Sequence, residues 1–386
     1  MTALKIAYLC DISPRHTQPY SGGNARIFRA LSDHADVTIL PRDWGLAESA
    51  HRAIYRLSDG LQLRLRWRAH LILAPFIAAP VNKALREGEF DVVFCAYSFQ
   101  SLSYVKPPPG CLRVFSSDAM PSVYKRSIIG AEYGSSALTR YLLDPLTLRT
   151  ERRIAKALDL ILSPSDWFKR EADALYDLPP DLVHVLPWGA NVEDPGPGAP
   201  RTAPSTGTPL RLLFIGRDWF AKGGPDAFET MKILRTRGID AELTVIGATP
   251  PEHHRTDHVK LLGALDKSMP DQAAQFEDAL RGAHFLMQPS VESYGFAFCE
   301  AAAFGLPSLC HDVGGVPVRE GITGHPLPET AGPGEFTDVV MRHLADPAGY
   351  LALCASARRD YETRLNWSSW AKSAIALMNE TRARNT

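Results

Sequence analysis

The sequence predicts two doubly wound α/β domains in series, each with a mostly parallel sheet, facing each other across a cleft. Three observations support this fold class. Apolar, β-rich runs alternate with helix-compatible stretches, the alternation stops at a Pro- and Gly-rich segment, and it then restarts. The chain has 386 residues, which at roughly 150 residues per domain allows two or three domains with cores of their own.

The predicted strands are short apolar runs bounded by polar or turn-forming residues. In the first half they are Leu4–Cys10, Val37–Leu40, Val92–Cys95, Leu112–Phe115, Leu160–Leu162 and Val183–Leu186. In the second half they are Leu210–Gly216, Glu242–Gly247, His258–Leu262, His284–Gln288 and Pro307–Cys310. Because ligands of such sheets bind beyond the carboxyl ends of the strands, we expect the functional residues in the loops that follow these runs.

The segment between Pro195 and Pro209 is mostly Pro, Gly, Ser and Thr, a composition typical of an interdomain spacer. We therefore predict four parts, namely an N-terminal domain, a linker, a second domain and a C-terminal helix that docks back on the first domain. These parts comprise residues 1–190, 191–209, 210–365 and 366–386, respectively.

Composition excludes several classes of protein. With 42 Lys and Arg against 43 Asp and Glu, the net charge of −1 gives no overall attraction to nucleic acid, so we expect no nucleic-acid partner. The six cysteines have no paired spacing, which favours buried free thiols over a disulfide framework or a zinc site. The longest apolar run, Leu71 to Val81, is about half of the ~20 residues that a spanning helix needs, and no signal-peptide pattern opens the sequence. We expect a cytoplasmic protein.

Three cofactor motifs are missing from the sequence. No GxGxxG follows a strand and no GxxxxGK[ST] occurs, which disfavours a dinucleotide dehydrogenase and a P-loop NTPase. No two Asp residues are spaced one apart, so the usual Asp-x-Asp metal cradle of many sugar transferases is missing too. We expect no metal and no cofactor, and any bound diphosphate would need protein cations.

The most informative segment is QPSVESYGFAFCEAAAFGLPSLCHDVGG, from Gln288 to Gly315. It predicts a strand end, a loop with Glu292, a close backbone approach at Gly295 and a helix from Phe296 that carries Glu300. Two carboxylates placed before and within one helix suit the binding of hydroxyls on a single ligand, and free N–H groups at the helix start suit a phosphate. The alternative is a solvated acid at Glu292 and an exposed helix residue at Glu300.

This segment resembles the donor-site signature of the retaining glycosyltransferases of family four, which have the GT-B fold. That signature is Pro-Ser, an acid, Gly-Phe-Gly, a second acid, Ala-x-Ala-x-Gly-x-Pro and Gly-Gly. Two further segments resemble the family in the same order along the chain, FIGRDWFAKGG around Gly216 and the Gly22–Gly23 pair after the first strand. The resemblance implies a metal-independent transferase that moves a sugar from a nucleotide-diphosphate sugar, UDP- or GDP-linked, to a hydroxyl acceptor with retention.

The resemblance also implies roles for particular residues. Arg217 and Lys222 are expected to bind the diphosphate in place of a metal, Glu300 the ribose hydroxyls and Glu292 the donor sugar. The resemblance makes residues 1–190 the acceptor-side domain and residues 210–365 the donor-side domain. Besides Glu300, the donor-binding residues are expected to include Gly22, Gly23, Gly216, Ser293, Tyr294, Gly295 and Phe296. Without the motif, Arg217 and Lys222 would be a solvated charged loop, and Gly22–Gly23 a plain turn.

One departure from the family lies in the first half of the chain. The family often has His-Asp after the fourth or fifth strand, whereas this sequence has Ser117 and Asp118 in VFSSDAM. We predict that Asp118 contributes to catalysis, and the alternative is that it caps the next helix.

The segment Arg52 to Arg68 is strongly basic, with five arginines and one acid among apolar residues. It predicts a contact with the inner face of a membrane or with an anionic acceptor, and the alternative is a solvated face over a core-facing stripe. Two other functions remain open from sequence, an inactive nucleotide-sugar-binding protein and a sugar-nucleotide epimerase. The epimerase would need further acid–base residues, and no such group is evident.

Overall fold

The computed structural model describes residues 3–42, 45–55, 59–133, 144–196, 201–205 and 207–385. The chain divides into two compact units. The N-terminal unit comprises Met1–Pro187 with Trp367–Thr386, and the C-terminal unit comprises Trp188–Asn366. Each unit contains one six-stranded sheet in which all paired strands run parallel.

In the N-terminal unit the strands are β1 (Lys5–Leu9), β2 (Asp36–Ile39), β3 (Val92–Ala96), β4 (Leu112–Ser116), β5 (Leu160–Ser163) and β6 (Val183–Val185). The helices of this unit are α1 (Gly23–Ser32), α2 (Glu48–Tyr55), α3 (Asp59–Glu87), α4 (Pro121–Arg126), α5 (Asp144–Ala155) and α6 (Asp166–Tyr176).

In the C-terminal unit the strands are β7 (Leu210–Gly216), β8 (Ala241–Gly247), β9 (Val259–Gly263), β10 (Phe285–Met287), β11 (Ser308–His311) and β12 (Gly324–Leu327). Its helices are α7 (Gly224–Thr236), α8 (Pro270–Gly282), α9 (Phe296–Ala303), α10 (Pro333–Ala345) and α11 (Pro347–Thr363). The last helix of the chain, α12 (Trp367–Asn385), belongs to the N-terminal unit.

Strand order gives each sheet one position where it reverses. The N-terminal sheet has the order β2-β1-β3-β4-β5-β6, and the C-terminal sheet has the order β12-β11-β10-β7-β8-β9. The first strand of each unit, β1 or β7, therefore lies between two strands from which the sheet continues in opposite directions. At such a point the loops after the two neighbouring strands diverge and leave a crevice. The loops after β1 and β3, and after β7 and β10, are therefore the candidate ligand sites of the two units.

The apolar strand runs form the two cores because a parallel sheet with helices on both faces buries both sides of its strands. Every residue of β3 and β5 is buried, and so is most of β7.

Helix α12 completes the N-terminal unit. The Trp370 ring meets the edge of Phe94 of β3 with centroids 6.3 Å apart, and Arg382 forms a 2.7 Å ion pair with Asp91. The predicted pattern of parallel strands in two α/β domains is thus confirmed.

Two features differ from the sequence-based expectation. The C-terminal sheet has a sixth strand, β12, whose sequence GHPL carries too little apolar signal to predict a strand. The division between the units falls after Pro187, and the described part of the predicted linker belongs to the C-terminal unit. Arg201 explains this, because its guanidinium donates to the carbonyls of Leu280, Phe304 and Ala283 of that unit.

Within the described residues of the N-terminal unit, Glu151 of α5 is a fully buried carboxylic acid. The Tyr176 hydroxyl donates to its Oε2 atom at 2.8 Å. Burial raises the pKa of the Glu151 carboxyl to about 7, although bonds from Ser122 and Tyr176 act in the opposite direction. The acid is therefore protonated in the folded protein over a range where the unfolded chain ionises.

This buried acid predicts a pH dependence of stability. Between the unfolded value of about 4.3 and the folded pKa, the folded state binds the extra proton, so the free energy of unfolding falls as pH rises. The loss is at most about 4 kcal/mol and is complete above the folded pKa. Glu151→Gln should lack this fall, as urea unfolding at pH 5 and pH 8 would show. If the free energy of unfolding fell equally from pH 5 to pH 8 in both proteins, the role assigned to Glu151 would be wrong.

Among the described residues, no helix has both the length and the apolar composition needed to cross a bilayer. The side chains of most of the Arg52–Arg68 segment lie outside the described residues, so the predicted membrane contact stays a prediction. At its ends, Arg52 is exposed, whereas Arg68 forms a 2.8 Å ion pair with Asp144. All six cysteines are free thiols, and five of them are buried.

Candidate active site

The loop after β7 holds the first part of the site, and its shape depends on glycine. A Cβ atom at Gly216 would lie 2.8 Å from Cγ of Lys222, so this position leaves room for the lysine stem. Gly223 caps α7 in the left-handed region with φ of +75°, and a Cβ there would meet the carbonyl oxygen of Pro289 at 2.1 Å. The loop after β7 thus lies directly against the loop after β10.

Internal bonds hold this loop in place. The Asp218 carboxylate accepts from the backbone N–H groups of Phe220 and Ala221, each at 2.9 Å. Beneath the loop, the buried Trp219 donates its indole N–H to Nδ1 of His254 at 3.1 Å. Because its base is supported in this way, the loop presents its two cations from a fixed backbone.

Lys222 and Glu292 meet between the two loops. The Lys222 ammonium lies 2.6 Å from Oε1 and 2.7 Å from Oε2 of the Glu292 carboxylate. The side chain of Glu292 is 10% exposed and that of Lys222 is 31% exposed. This pair lies at the reversal point of the C-terminal sheet, where ligands of doubly wound sheets bind. The structure therefore brings together two residues that sequence analysis selected from separate motifs.

Glu292 has further partners from its own loop. Ser290 donates its hydroxyl to Oε1 at 2.8 Å, and the Gln288 amide donates to the same atom at 3.1 Å. Its backbone carbonyl accepts from the N–H of Gly315 at 2.8 Å, which joins the first acid of the motif to the Gly-Gly at its end. A buried carboxylate with several hydrogen-bond donors is fixed in position.

Gly295 is the N-cap residue of helix α9 and has φ of +91°. Phe296 stacks on the buried Trp188 ring with centroids 5.6 Å apart, and the Tyr294 hydroxyl donates to the Trp188 carbonyl at 2.6 Å. Burial raises the pKa of the Tyr294 phenol well above its usual value. The side chain of Tyr294 is thus part of the local core, and any contact of this residue with a ligand would use its backbone. Ser293, beside it, is half-buried.

Glu300 is also buried, with its side chain 4% exposed. Its Oε1 atom accepts a hydrogen bond from the ammonium of Lys267, a residue between β9 and α8 that sequence analysis did not select. The sequence indicates Lys267 only through its place in the loop after β9, which lies at the same carboxyl edge of the sheet as the loop of Glu292. Both acids of the motif therefore bind a lysine in the structure, and neither is the solvated residue of the alternative interpretation.

Arg217 differs from Lys222. Its side chain is exposed, and no hydrogen bond or ion pair of Arg217 occurs within the described ranges. The two cations of this loop therefore have different surroundings. The Arg217 guanidinium is exposed next to Gly216, at the end of β7, whereas the half-buried Lys222 ammonium pairs with Glu292.

The reversal point of the N-terminal sheet has an arrangement of its own. Gly22 has φ of +87° and precedes α1, and Gly23 is its first residue, both buried. Just before them, Tyr20 has φ of +55°, and its ring stacks on Tyr97, which follows β3 and has φ of +61°. The ring centroids are 4.1 Å apart. Left-handed backbone at non-glycine residues is costly, and such residues cluster at ligand sites.

Two carboxylates accompany this tyrosine pair. The Tyr20 hydroxyl donates to Asp11 at 2.8 Å, and the negative charge of Asp118 contributes to the raised pKa of Tyr97, after the larger effect of burial. Asp118 accepts from the Ser117 hydroxyl at 3.3 Å. The next helix, α4, has Met120 at its N-cap and no side-chain cap bond, so the structure does not support the capping alternative for Asp118.

Comparisons with known proteins agree with this architecture. The family model described as Glycosyltransferase Family 4 matches residues 24–194, and the model described as Glycosyl transferases group 1 matches residues 209–346. A D-inositol 3-phosphate glycosyltransferase of Nocardiopsis dassonvillei is 28% identical over 242 residues, which cover 57% of this chain and 56% of the relative. The chain spans about half the length of the curated relatives it matches first.

Solved structures resemble the whole chain. A sucrose-phosphate synthase from Thermosynechococcus elongatus has a TM-score of 0.66 at 16% identity and covers 99% of this chain and 100% of its own. The Anabaena protein HepE, solved in complex with UDP, has a TM-score of 0.64 at 14% identity, with 98% and 100% covered. At these identities the likeness shows the fold alone. Together, the two family models and the fold show that the chain belongs to the family 4 glycosyltransferases and has the GT-B fold.

Proposed function

We propose that the protein is a metal-independent, retaining glycosyltransferase that moves a sugar from a UDP- or GDP-sugar to a hydroxyl acceptor. The observation that carries the proposal is the Lys222–Glu292 pair at the reversal point of the C-terminal sheet, with the exposed Arg217 on the same loop. A cation for a diphosphate and a carboxylate for sugar hydroxyls are what donor recognition requires at adjacent positions.

In this proposal the C-terminal unit binds the donor. The Arg217 guanidinium binds two diphosphate oxygens, and Lys222 adds a point charge while it keeps its contact with Glu292. The Glu292 carboxylate, already fixed by Ser290 and Gln288, accepts hydroxyls of the donor sugar. Glu300 accepts the ribose hydroxyls. These roles come from the family resemblance, and the burial and hydrogen bonds of the two acids support them.

Retention would follow from attack on the same face that the diphosphate leaves. The departing diphosphate oxygen would take the proton of the acceptor hydroxyl, so no further base is needed. The protein would supply position and charge stabilisation on the leaving oxygen through Arg217 and Lys222.

For the acceptor we propose a hydroxylated compound bound at the carboxyl edge of the N-terminal sheet. The Tyr20–Tyr97 pair offers aromatic surface, and Asp11 and Asp118 offer hydroxyl acceptors. The curated relatives are named for D-inositol 3-phosphate, so this compound is the first acceptor to test.

The central experiment is a thermal-shift screen of the full chain with UDP, GDP and ADP, alone and as their sugars. We expect stabilisation by UDP or GDP, because binding to the folded state alone raises the melting temperature. Donor turnover would then be followed with and without EDTA, and the anomeric configuration of the product read by NMR. Loss of activity on chelation would contradict metal independence. Binding without donor hydrolysis or transfer would support an inactive binding protein, and release of an epimerised donor would support an epimerase.

The two acids are expected to divide the donor between them. Glu300→Ala should weaken the binding of free UDP or GDP and of the sugar donor, because ribose is common to both. Glu292→Ala should weaken only the donor, since it frees Lys222 for the diphosphate. Isothermal calorimetry with free nucleotide separates the two variants. Equal losses of nucleotide affinity would refute this division.

Asp118 is expected to affect turnover. Asp118→Asn should lower kcat at least tenfold, about 1.4 kcal/mol, with little change in melting temperature, because Met120 and not Asp118 is at the N-cap of α4. Asp159→Asn is a matched control, since Asp159 accepts from the backbone N–H of Arg113 at 2.7 Å and should affect stability instead. An Asp118 variant with normal turnover and an early melting transition would assign this residue a structural role.

A further inference from the structure

We propose that Lys267 is a positioning residue that sets the ribose specificity of the donor site through its contact with Glu300. The inference rests on the proposed function, in which Glu300 accepts ribose hydroxyls. It adds a residue outside the matched motifs, and it predicts that this residue makes the protein prefer a ribonucleotide over its 2′-deoxy form.

The first observation is the state of Glu300. Its side chain is 4% exposed, and the Lys267 ammonium, 34% exposed, donates to its Oε1 atom. A carboxylate removed from water is costly unless it is paired. Lys267 supplies the cation that pairs with this buried carboxylate.

The second observation is that Lys267 is itself held in place. Asp266 fixes the turn, since its Oδ1 atom accepts from the Ser268 N–H at 2.9 Å and from the Ser268 hydroxyl at 2.7 Å. The backbone N–H of Asp266 donates to Gln272 at 2.7 Å. On the other side, the Lys267 ammonium lies 4.9 Å from the centroid of the buried Phe276 ring, a cation–π contact. The lysine is preorganised before any ligand binds.

The chemistry follows from the hydrogen-bonding capacity of a carboxylate. An ionised carboxylate accepts at both oxygens and has about four lone-pair sites, of which Lys267 uses one. The remaining sites can accept both hydroxyls of a ribose. Without Lys267, the Glu300 side chain loses the partner that fixes its orientation, and its carboxylate no longer presents its free acceptor sites to both hydroxyls in one fixed geometry. The energetic effect of Lys267 is therefore realised only when both hydroxyls are present.

The test compares UDP with 2′-deoxy-UDP, and GDP with 2′-deoxy-GDP, by calorimetry on the full chain. The wild-type protein should prefer the ribonucleotide that it binds by about tenfold or more, because a site built for a hydroxyl rejects its absence. Lys267→Met should lower the affinity for that ribonucleotide about tenfold and change the affinity for its 2′-deoxy form by less than about threefold. Lys267→Arg should restore most of the preference.

Lys260→Met is the matched control, since Lys260 is an exposed lysine of β9 in the same unit. It should leave both affinities unchanged. Thermal melts of all variants check folding, and Lys267→Gln replaces Lys267→Met if the latter does not fold. Equal losses for the ribonucleotide and its 2′-deoxy form, or no loss at all, would overturn the role of Lys267 and leave the proposed function standing. If the wild-type protein binds neither UDP nor GDP, the proposed function itself fails, and this inference with it.

Discussion

Lys222→Ala should lower kcat/KM for the sugar donor by about two to three orders of magnitude, because it removes a charge-assisted diphosphate contact of about 1.5–3 kcal/mol and also leaves the Glu292 carboxylate without its cation. The Lys222 ammonium touches both oxygens of Glu292, whose side chain is only 10% exposed. The substitution would remove a diphosphate contact and leave this carboxylate without its cation. Steady-state kinetics with a UDP- or GDP-sugar gives the measurement.

Free nucleotide should respond less than turnover to the same change. Loss of one charge-assisted contact predicts a weakening of UDP or GDP binding by about 1.5–3 kcal/mol, and Arg217→Ala should give a loss in the same range. Lys222→Met keeps the aliphatic stem that lies against Gly216 and removes only the charge. We expect Met and Ala to be equally damaging if the ammonium is what matters.

A surface lysine of the same unit provides the control. Lys232 of α7 forms a 2.8 Å ion pair with Glu229, and both side chains are substantially exposed. Such pairs contribute about 0–1 kcal/mol, so Lys232→Ala should leave kcat/KM unchanged. In a double-mutant cycle, Lys222→Ala and Glu292→Ala should be far from additive. A Lys222→Ala enzyme within about threefold of wild type would exclude the central role given to this pair.

Sequence patterns predicted the fold well because buried parallel strands leave a strong signal. A strand covered on both faces is apolar throughout, as in β3 and β5. The strand β12 gave no such signal. It lies at the edge of its sheet, where polar residues and Pro326 are tolerated because one side of the strand has no ladder partner.

Of the candidate site, local motifs predicted the residues but not all their contacts. Glu292 and Glu300 stand out because a helix start fixes their spacing. Lys267 pairs with Glu300 from a distant loop, and Tyr20 stacks on Tyr97 across two strands that are neighbours only in the sheet. Contacts of this kind depend on the order of the strands in the sheet, and the apolar pattern of the sequence does not specify that order. Sequence also did not show that Tyr294 would be buried under Trp188.

The largest effect on stability is expected from Gly223→Ala. A Cβ atom at this position would lie 2.1 Å from the carbonyl oxygen of Pro289, and its backbone φ of +75° is unfavourable for alanine. The obstacle is backbone of the loop after β10, so it cannot be relieved by a side-chain rotation. We expect the C-terminal unit to lose more than about 3 kcal/mol of stability, which is a fall of about 6–12 °C in its melting transition.

Gly238→Ala separates the two causes of this loss. Gly238 has φ of +85°, similar to Gly223, but nothing lies within 4 Å of the position its Cβ would take. Its substitution should cost only the left-handed conformation of alanine, about 1–2 kcal/mol. The difference between the two variants then measures the contact between the loops after β7 and β10, without the contribution of backbone conformation.

The same contact connects stability to donor binding, because Gly223 adjoins Lys222 and Pro289 precedes the loop of Glu292. If the Gly223→Ala protein is studied below its melting transition, the two loops must have moved apart to admit the methyl group. We therefore expect weakened binding of UDP or GDP by calorimetry, whereas Gly238→Ala should bind normally. A Gly223→Ala protein that melts like Gly238→Ala and binds nucleotide like wild type would show that the two loops are not in the close contact on which the candidate site depends.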